Sequence, residues 1–167
     1  TYLDIGSQLG YFVYKINELN HNILATGIEM NEISYMYSEL IGILNKTKNV
    51  SFVNAELTSE TAYNMACYDL VSFLNVFHHI VHVKGFNEAD KIMKCLYKNT
   101  NNYCLFETGL YNEKGLYWSN DLSFMGDTPI QWVLEYLQML GFSEVKMVSK
   151  FKTHLNSEER GFFICTK

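Results

Sequence analysis

The chain has 167 residues, of which 48% are hydrophobic and 19% are charged, and its formal net charge is −5. This length suits one globular domain, 1–167, with a substantial core, and the acidic balance argues against broad binding to nucleic acid. The 4 cysteines are scattered without a CxxC pair, which is typical of a reduced protein rather than a disulfide or zinc scaffold. No apolar run is long enough to span a membrane and no secretory signal opens the sequence, so we expect a cytoplasmic protein.

Strands and helices alternate along the first two thirds of the chain. The predicted strands are 1–6, 22–29, 50–55, 68–76 and 102–107, and the predicted helices are 9–19, 31–45, 58–66 and 86–98. The prediction of a helix at 31–45 is based on the spacing of its apolar residues, which are Ile33, Met36, Tyr37, Leu40, Ile41 and Leu44.

The last third of the chain breaks this alternation. A glycine-containing loop, 108–127, leads to a helix at 128–140, and two strands, 144–149 and 160–166, follow without a helix between them. We therefore predict an α/β fold with a doubly wound, Rossmann-like sheet that is mainly parallel and has an antiparallel last strand. In such sheets ligands bind outside the carboxyl ends of the strands, near the point where the strand order reverses.

The loop after the first strand indicates which kind of cofactor the sheet binds. A dinucleotide fingerprint would need glycine at positions 6, 8 and 11, where this chain has Gly6, Gln8 and Tyr11. Glycines at these positions allow a pyrophosphate to approach closely and the helix to pack tightly on the strand, so their absence disfavours a pyrophosphate ligand. The observed pattern, Asp4 followed by Gly6 and Gly10, suits S-adenosylmethionine, which carries an ammonium, a carboxylate and a sulfonium instead of phosphate.

Polar residues at the ends of the following strands extend this interpretation. Asp4 can attract the ammonium, Glu29 can accept both ribose hydroxyls, and Asn54 can bind the adenine amino group while Met30 packs on the ring. Taken singly, Asp4 also fits an ordinary strand-to-helix turn, and Glu29 a solvated strand end. The candidate cofactor-binding residues are Asp4, Gly6, Gln8, Gly10, Phe12, Glu29, Met30, Asn54 and Asn75.

In these residues the sequence resembles the class I S-adenosylmethionine-dependent methyltransferases over essentially its whole length. This chain departs from the family at Gln8, where the motif G-x-G-x-G usually has its middle glycine. The departure affects the expected turn geometry more than the identity of the cofactor. The resemblance implies S-adenosylmethionine as the cofactor and methyl transfer as the activity.

The segment VFHHIVH, residues 76–82, holds three of the 5 histidines just past the fourth strand. In a helix starting near Phe77, His78 and His82 would lie at i and i+4 and could share a metal. No acid or cysteine in that turn completes a site, so we predict no metal. Two readings stay open: the histidines are polar edges of a packed helix, or they line the pocket for cofactor and acceptor.

This segment narrows the resemblance to the methyltransferase half of bacterial O-antigen chain-terminating methyltransferase–kinases. Such enzymes phosphorylate the terminal sugar of a polysaccharide and methylate that phosphate, which implies a glycan acceptor, polysaccharide biosynthesis and a kinase or glycosyltransferase partner. The resemblance covers the methyltransferase half only, without a kinase or coiled-coil segment, so the sequence is either a fragment or a stand-alone relative. Because it starts at the first strand, we expect the usual lead-in helices to be absent.

The predicted topology brings further side chains to the same edge. His79 or Glu107 could act as a general base, with His78 and His82 beside the acceptor. Arg160, the only arginine among 13 basic residues, could hold a phosphate in a bidentate manner. It could equally be a solvated charge, and Trp118 could be simple loop packing. The candidate acceptor-binding residues are His78, His82, Tyr117, Trp118, His154 and Arg160.

We therefore expect a methyltransferase that acts on a small or glycan acceptor, with a terminal phosphate as the most specific case. A tRNA wobble base and a small metabolite are alternative acceptors. A non-catalytic, methyltransferase-like binding subunit is the alternative of a different class.

Overall fold

A computed structural model describes residues 1–153, 155 and 158–167 of the chain. Its strands are β1 (Tyr2–Ile5), β2 (Ala25–Glu29), β3 (Val50–Asn54), β4 (Tyr68–Leu74), β5 (Thr100–Glu107), β6 (Glu144–Lys152) and β7 (Glu159–Thr166). Its α-helices are α1 (Tyr11–Leu19), α2 (Glu32–Asn45), α3 (Ser59–Tyr63), α4 (Phe77–Lys84), α5 (Phe86–Asn99) and α6 (Pro129–Met139). A 3₁₀ helix, Ser119–Met125, lies in the segment predicted as a loop.

The seven strands form one sheet in the order β3-β2-β1-β4-β5-β7-β6. The first five strands are parallel, and β7 runs antiparallel to both β5 and β6. The prediction of a mainly parallel, doubly wound sheet with an antiparallel last strand is confirmed. The order reverses between β1 and β4, so the loops after these strands flank the expected ligand position.

Two apolar cores cover the two faces of the sheet. The larger core joins α3, α4, α5 and α6 to one face, and a smaller cluster joins α1 and α2 to the other. Leu3, Val71 and Phe73 are each 0% exposed, as expected of central parallel strands. Among the described residues, no helix is both long and apolar enough to cross a bilayer.

Helix α2 turns its apolar side away from the protein. Ser38, on its inner side, is fully buried, and Gly42 lies so close to Tyr14 that an added Cβ would come 2.9 Å from the Tyr14 hydroxyl. Small inner residues therefore let the helix lie close to α1, and the large apolar residues face outward. An amphipathic helix ordinarily does the opposite.

Candidate functional site

The loop after β1 has an unusual backbone that explains its glycines. Gly6, Gln8 and Gly10 have φ angles of 74°, 47° and 79°, all in the left-handed region. Glycine adopts this region at no steric cost, whereas a residue with a Cβ loses about 1 kcal/mol. Gln8 therefore adopts, at a modest energetic cost, a backbone conformation that glycine adopts freely.

The amide groups of this loop are bonded within the protein. The N–H groups of Gly6 and Ser7 donate to the Ile28 carbonyl, and the Gly10 N–H donates to the Ser7 carbonyl. The Gln8 N–H donates to the Glu29 carboxylate at 2.9 Å. These four amides are therefore engaged within the protein and are not free donors for a pyrophosphate. The Ser7 hydroxyl, in contrast, is buried without a hydrogen-bond partner among the described residues.

Glu29 ends β2 and joins the loop to the start of α2. Its side chain is buried, and its two carboxylate oxygens accept from the Gln8 N–H and, at 2.7 Å, from the Asn31 N–H. The Asn54 amide donates to the carbonyls of Glu29 and Met30, which ties the ends of β2 and β3 together. Met30 is 66% exposed, so its side chain is open to a ligand.

Asp4 is the second acid beside the loop, and it is 3% exposed. Burial, followed by the negative charge of Glu29, raises its pKa to about 6, although the hydrogen bond from the Ser72 hydroxyl opposes this shift. Two nearby buried carboxylates form an electrostatic environment that favours a cationic ligand and disfavours a phosphate. Phe12, in the first turn of α1, is 46% exposed at the same edge.

The carboxyl end of β4 lies against this loop. A Cβ on Gly6 would come 2.5 Å from the Val76 side chain, so the start of α4 and the loop are in close contact. Asn75 has a φ of 62° and its backbone N–H donates to the Glu107 carbonyl. The predicted cofactor edge and the histidine segment are therefore adjacent.

His78 is buried and connects α4 to the segment that follows β5. Its Nδ1 accepts from the Gly109 N–H at 2.9 Å and lies 3.3 Å from the Thr108 hydroxyl, so the neutral ring carries its proton on Nε2. Burial, with smaller effects from His79 and Arg160, lowers its pKa to about 2. His78 consequently stays neutral and is too weakly basic to accept a proton near pH 7.

His79 and His82 are exposed on the outer side of the same helix. The Tyr117 hydroxyl lies 2.8 Å from His79 Nδ1, and the Asp121 carboxylate lies 2.6 Å from His82 Nδ1. Burial, followed by the charges of Arg160 and His82, lowers the pKa of His79. His79 is therefore neutral near pH 7 and keeps the capacity to accept a proton.

Trp118 packs over the histidine segment. Its indole is 4% exposed, its ring centre lies 4.6 Å from that of His78, and its Nε1 has no hydrogen-bond partner among the described residues. Gly109 allows this packing, because an added Cβ would come 2.6 Å from the Trp118 Nε1.

Arg160 has partners other than the acceptor phosphate expected for it. Its Nε and Nη2 donate to the two oxygens of Glu113 at 2.7 and 2.8 Å, and its Nη1 donates to Asn75 and Glu107. The side chain is 1% exposed. Burial alone would lower its pKa, but the bonds and charges of Glu113 and Glu107 outweigh burial and raise it. A guanidinium has five N–H donors, and the four hydrogen bonds of this network leave little capacity to bind a phosphate in a bidentate manner.

Glu107 is the acidic partner of Arg160 at the end of β5. Burial raises its pKa, and the positive charge of Arg160 offsets part of that shift. Because its carboxylate is bonded to Arg160, Glu107 is better suited to position the arginine than to accept a proton from an acceptor. His154, the remaining predicted acceptor residue, lies outside the described residues.

Three residues that sequence reasoning missed complete this arrangement: Glu113, Asp121 and Ser7. The one sequence signal that pointed to Glu113 was the single arginine, because a buried arginine would be expected to pair with an acid. Asp121 and Ser7 carry no local signal, because their roles depend on contacts with α4 and β2.

Within the described part of the chain, no three histidine, cysteine or acidic side chains are grouped so that they could hold a metal ion. The i, i+4 pair does not converge, because His78 is buried towards Gly109 and His82 is exposed towards Asp121. The absence of a metal stays a prediction.

Comparisons with known proteins bear on the fold. No protein-family model matches the sequence, and a search of curated proteins finds no significant match. Among solved structures, the bifunctional kinase-methyltransferase WbdD aligns with 98% of this chain at 21% identity and a TM-score of 0.80. Magnesium protoporphyrin IX methyltransferase (ChlM) from Synechocystis PCC 6803, with bound SAH, aligns with 99% of it at 14% identity and a TM-score of 0.73.

The fold is that of the class I methyltransferases. A third structure, EvdMO1, aligns with 99% of the chain at 16% identity and a TM-score of 0.69. The chain spans 34% of the length of WbdD, 73% of ChlM and 36% of EvdMO1. The class I methyltransferase fold predicted from the sequence is therefore confirmed, together with its likeness to the methyltransferase–kinases.

Proposed function

We propose that this chain transfers the methyl group of S-adenosylmethionine to an oxygen atom of a small-molecule or glycan acceptor. One observation carries the proposal: the loop Gly6–Gly10, most of whose amides are bonded within the protein, lies beside the buried acids Asp4 and Glu29 and adjoins the histidine helix α4. This combination suits a cationic, phosphate-free cofactor next to a site for proton transfer.

The residues around the loop fit the groups of this cofactor. Asp4 would attract the ammonium, Glu29 would accept from the ribose hydroxyls, and the Ser7 hydroxyl, buried without a partner in the described structure, offers one further hydrogen bond. The Asn54 amide nitrogen is bonded to backbone carbonyls, which leaves its oxygen for the adenine amino group. When bound, the cofactor supplies an electrophilic methyl group on a sulfonium.

On the acceptor side, we propose that His79 is the general base. It is exposed, its lowered pKa keeps it neutral at pH 7, and Tyr117 fixes its ring through a 2.8 Å hydrogen bond. Removal of a hydroxyl proton as the oxygen attacks is the step that a neutral imidazole supports. The other contribution of the chain is alignment, because displacement at the methyl carbon needs the reacting atoms in line.

A terminal phosphate is the second acceptor candidate, and the structural likeness to WbdD favours it. A phosphate is already anionic and needs no base, so His79 would then be dispensable. Several acids lie near this edge, and Arg160 is already bonded to Glu113 and Glu107, so a hydroxyl acceptor fits the local charges better. A glycosyltransferase would supply a glycan acceptor, and a kinase would supply its terminal phosphate.

The test is methyl transfer from labelled cofactor to matched glycans that differ only in a terminal phosphate. A hydroxyl acceptor predicts a maximal rate that rises with pH through the pKa of His79, and about a 100-fold loss in His79→Gln. His21→Gln, distant from the site, is the matched control. A flat profile with selective labelling of the phosphorylated glycan would establish the second candidate, and cofactor binding without turnover would favour a non-catalytic subunit.

A further inference from the structure

Helix α2 presents a continuous apolar stripe to the outside of the protein. Its members share an outward position and exposures between 47% and 71%: Ile33, Met36, Tyr37, Leu40, Ile43 and Leu44. A large side chain has about 200 Å² of surface, so the stripe leaves on the order of 700 Å² of apolar surface open. The largest apolar patch of a typical monomer is roughly 300–600 Å².

The inner side of the helix accounts for this orientation. Ser38 is fully buried, its carbonyl accepts from the Tyr14 hydroxyl at 2.5 Å, and Gly42 packs against the same tyrosine. On the inner side Tyr35 packs on the smaller core, and the small residues Ser38 and Gly42 make the close contacts with Tyr14, so most of the large apolar residues of α2 face outward. Its large apolar residues are left uncovered by the residues that the structure describes.

We propose that α2 is the dimer interface of this protein and packs antiparallel against α2 of a second copy. Ile33, Met36, Leu40 and Ile43 follow the alternating three- and four-residue spacing of a helix–helix seam. In an antiparallel pair centred on Ser38, Ile33 meets Ile43 of the partner subunit, and Met36 meets Leu40 of the partner subunit. The stripe is therefore complementary to itself, as a two-fold interface requires.

The charges beside the stripe favour the same arrangement. Glu32 is in the first turn of α2, and Lys46 is its C-cap residue. An antiparallel pair brings Glu32 of one copy beside Lys46 of the partner subunit at both ends of the seam. Glu39 faces its own counterpart near the two-fold axis, which offsets part of this gain.

The area also fits a pair of copies. A standard protein interface removes about 800 Å² from each partner, close to the size of the stripe. A groove of about 980 Å³ runs beside α2 along α1 and is lined by Tyr11, Tyr14 and Ile41, among others. It gives the flanking side chains of a partner helix room to extend the contact.

Sedimentation equilibrium of the purified protein tests the proposal, and a dimer is the expected result. Leu40→Lys should weaken the dimer at least tenfold with unchanged circular dichroism, because the residue is exposed and its replacement needs no repacking. Met139→Lys is the matched control, since Met139 is 84% exposed on α6 and outside the stripe. A monomeric wild type, including one that instead binds anionic lipid vesicles, would overturn the proposal, as would a dimer insensitive to Leu40→Lys.

The orientation has its own test. Glu32→Lys and Lys46→Glu should each weaken the dimer, and the double variant should restore it, because the exchange re-forms both end pairs. A double variant that is no better than either single one would exclude the antiparallel arrangement.

Discussion

Glu113 and Arg160, 47 residues apart in the sequence, form a bidentate ion pair in which both carboxylate oxygens accept from the guanidinium edge, at 2.7 and 2.8 Å. Both side chains are essentially inaccessible to water. The pair fixes the loop after β5 to the start of β7. This attachment holds Trp118 and Tyr117 over the histidine helix.

Arg160→Lys should therefore destabilise the protein rather than only weaken acceptor binding. Lysine cannot satisfy two carboxylates with a planar fork, so Glu107 and Glu113 would keep buried charge without full pairing. We expect a loss of about 3–5 kcal/mol in the free energy of unfolding, measured by urea denaturation. Lys94→Ala, which removes a surface ion pair with Asp90, is the control and should cost less than about 1 kcal/mol. A stable Arg160→Lys protein with a raised acceptor Michaelis constant would return Arg160 to acceptor binding.

Glu29→Gln should lower the affinity for S-adenosylmethionine. The substitution keeps the shape of the side chain but removes the charge that would hold the ribose hydroxyls and now holds the Gln8 amide. The expected loss is about 2–4 kcal/mol by calorimetry, the value for two charge-assisted hydrogen bonds. Glu32→Gln, three residues further and exposed, should bind like the wild type. NAD should bind to neither protein, and equal cofactor affinity in Glu29→Gln would remove Glu29 from the site.

Cofactor affinity should rise with pH through about 6, because the pKa of Asp4 is raised to about 6 and only its charged form attracts the ammonium. Binding near pH 6 should then release a proton, which is measurable by calorimetry in buffers of different ionisation enthalpy. Asp4→Asn should abolish both effects, and a wild-type affinity that is flat between pH 5 and 7 would contradict the assignment.

The raised pKa of Asp4 also makes the stability of the folded protein depend on pH. The folded state binds the Asp4 proton more tightly than the unfolded state, so the contribution of Asp4 to stability falls as pH rises from about 4 to about 6. Asp4→Asn should therefore stabilise the cofactor-free protein at pH 7, by on the order of 3 kcal/mol. Denaturation of both proteins at pH 4 and pH 7 measures the difference, which should nearly vanish at the lower pH.

Gly109→Ala should displace Trp118 from the histidine segment. The new Cβ would come 2.6 Å from the indole nitrogen and 2.9 Å from His78, so the ring must move. We expect a shift in tryptophan fluorescence and a loss of about 1–3 kcal/mol in stability. Gly115→Ala is the control, since nothing lies within 4 Å of its added Cβ and only backbone strain is introduced. Unchanged fluorescence in Gly109→Ala would argue against the packing of Trp118 described here.

Protein purified without a histidine tag should contain no stoichiometric zinc, iron or nickel. His78 and His82 point to different partners, so they offer no shared position for an ion. Elemental analysis measures the content, and a chelator should leave methyl transfer intact. A metal that is lost in His82→Gln would reverse this prediction.

The local sequence predicted most of the strands and helices and brought the candidate cofactor residues to one edge of the sheet. Strand ends are marked by local residue patterns, and parallel strands bring their carboxyl ends to one edge, so Asp4, Gly6 and Glu29 were predictable as neighbours. The sequence left the turn geometry at Gln8 open, and the structure places its backbone in the left-handed region.

Tertiary structure alone decided the role of Arg160 and the direction of the α2 stripe. A sequence pattern indicates that a helix has an apolar side, but its orientation depends on which side packs more closely on a distant surface. Likewise, a single arginine near the end of the chain can face solvent, a ligand or a buried acid. Only the fold brought Glu113 to it, because that contact joins segments with no local relationship in the sequence.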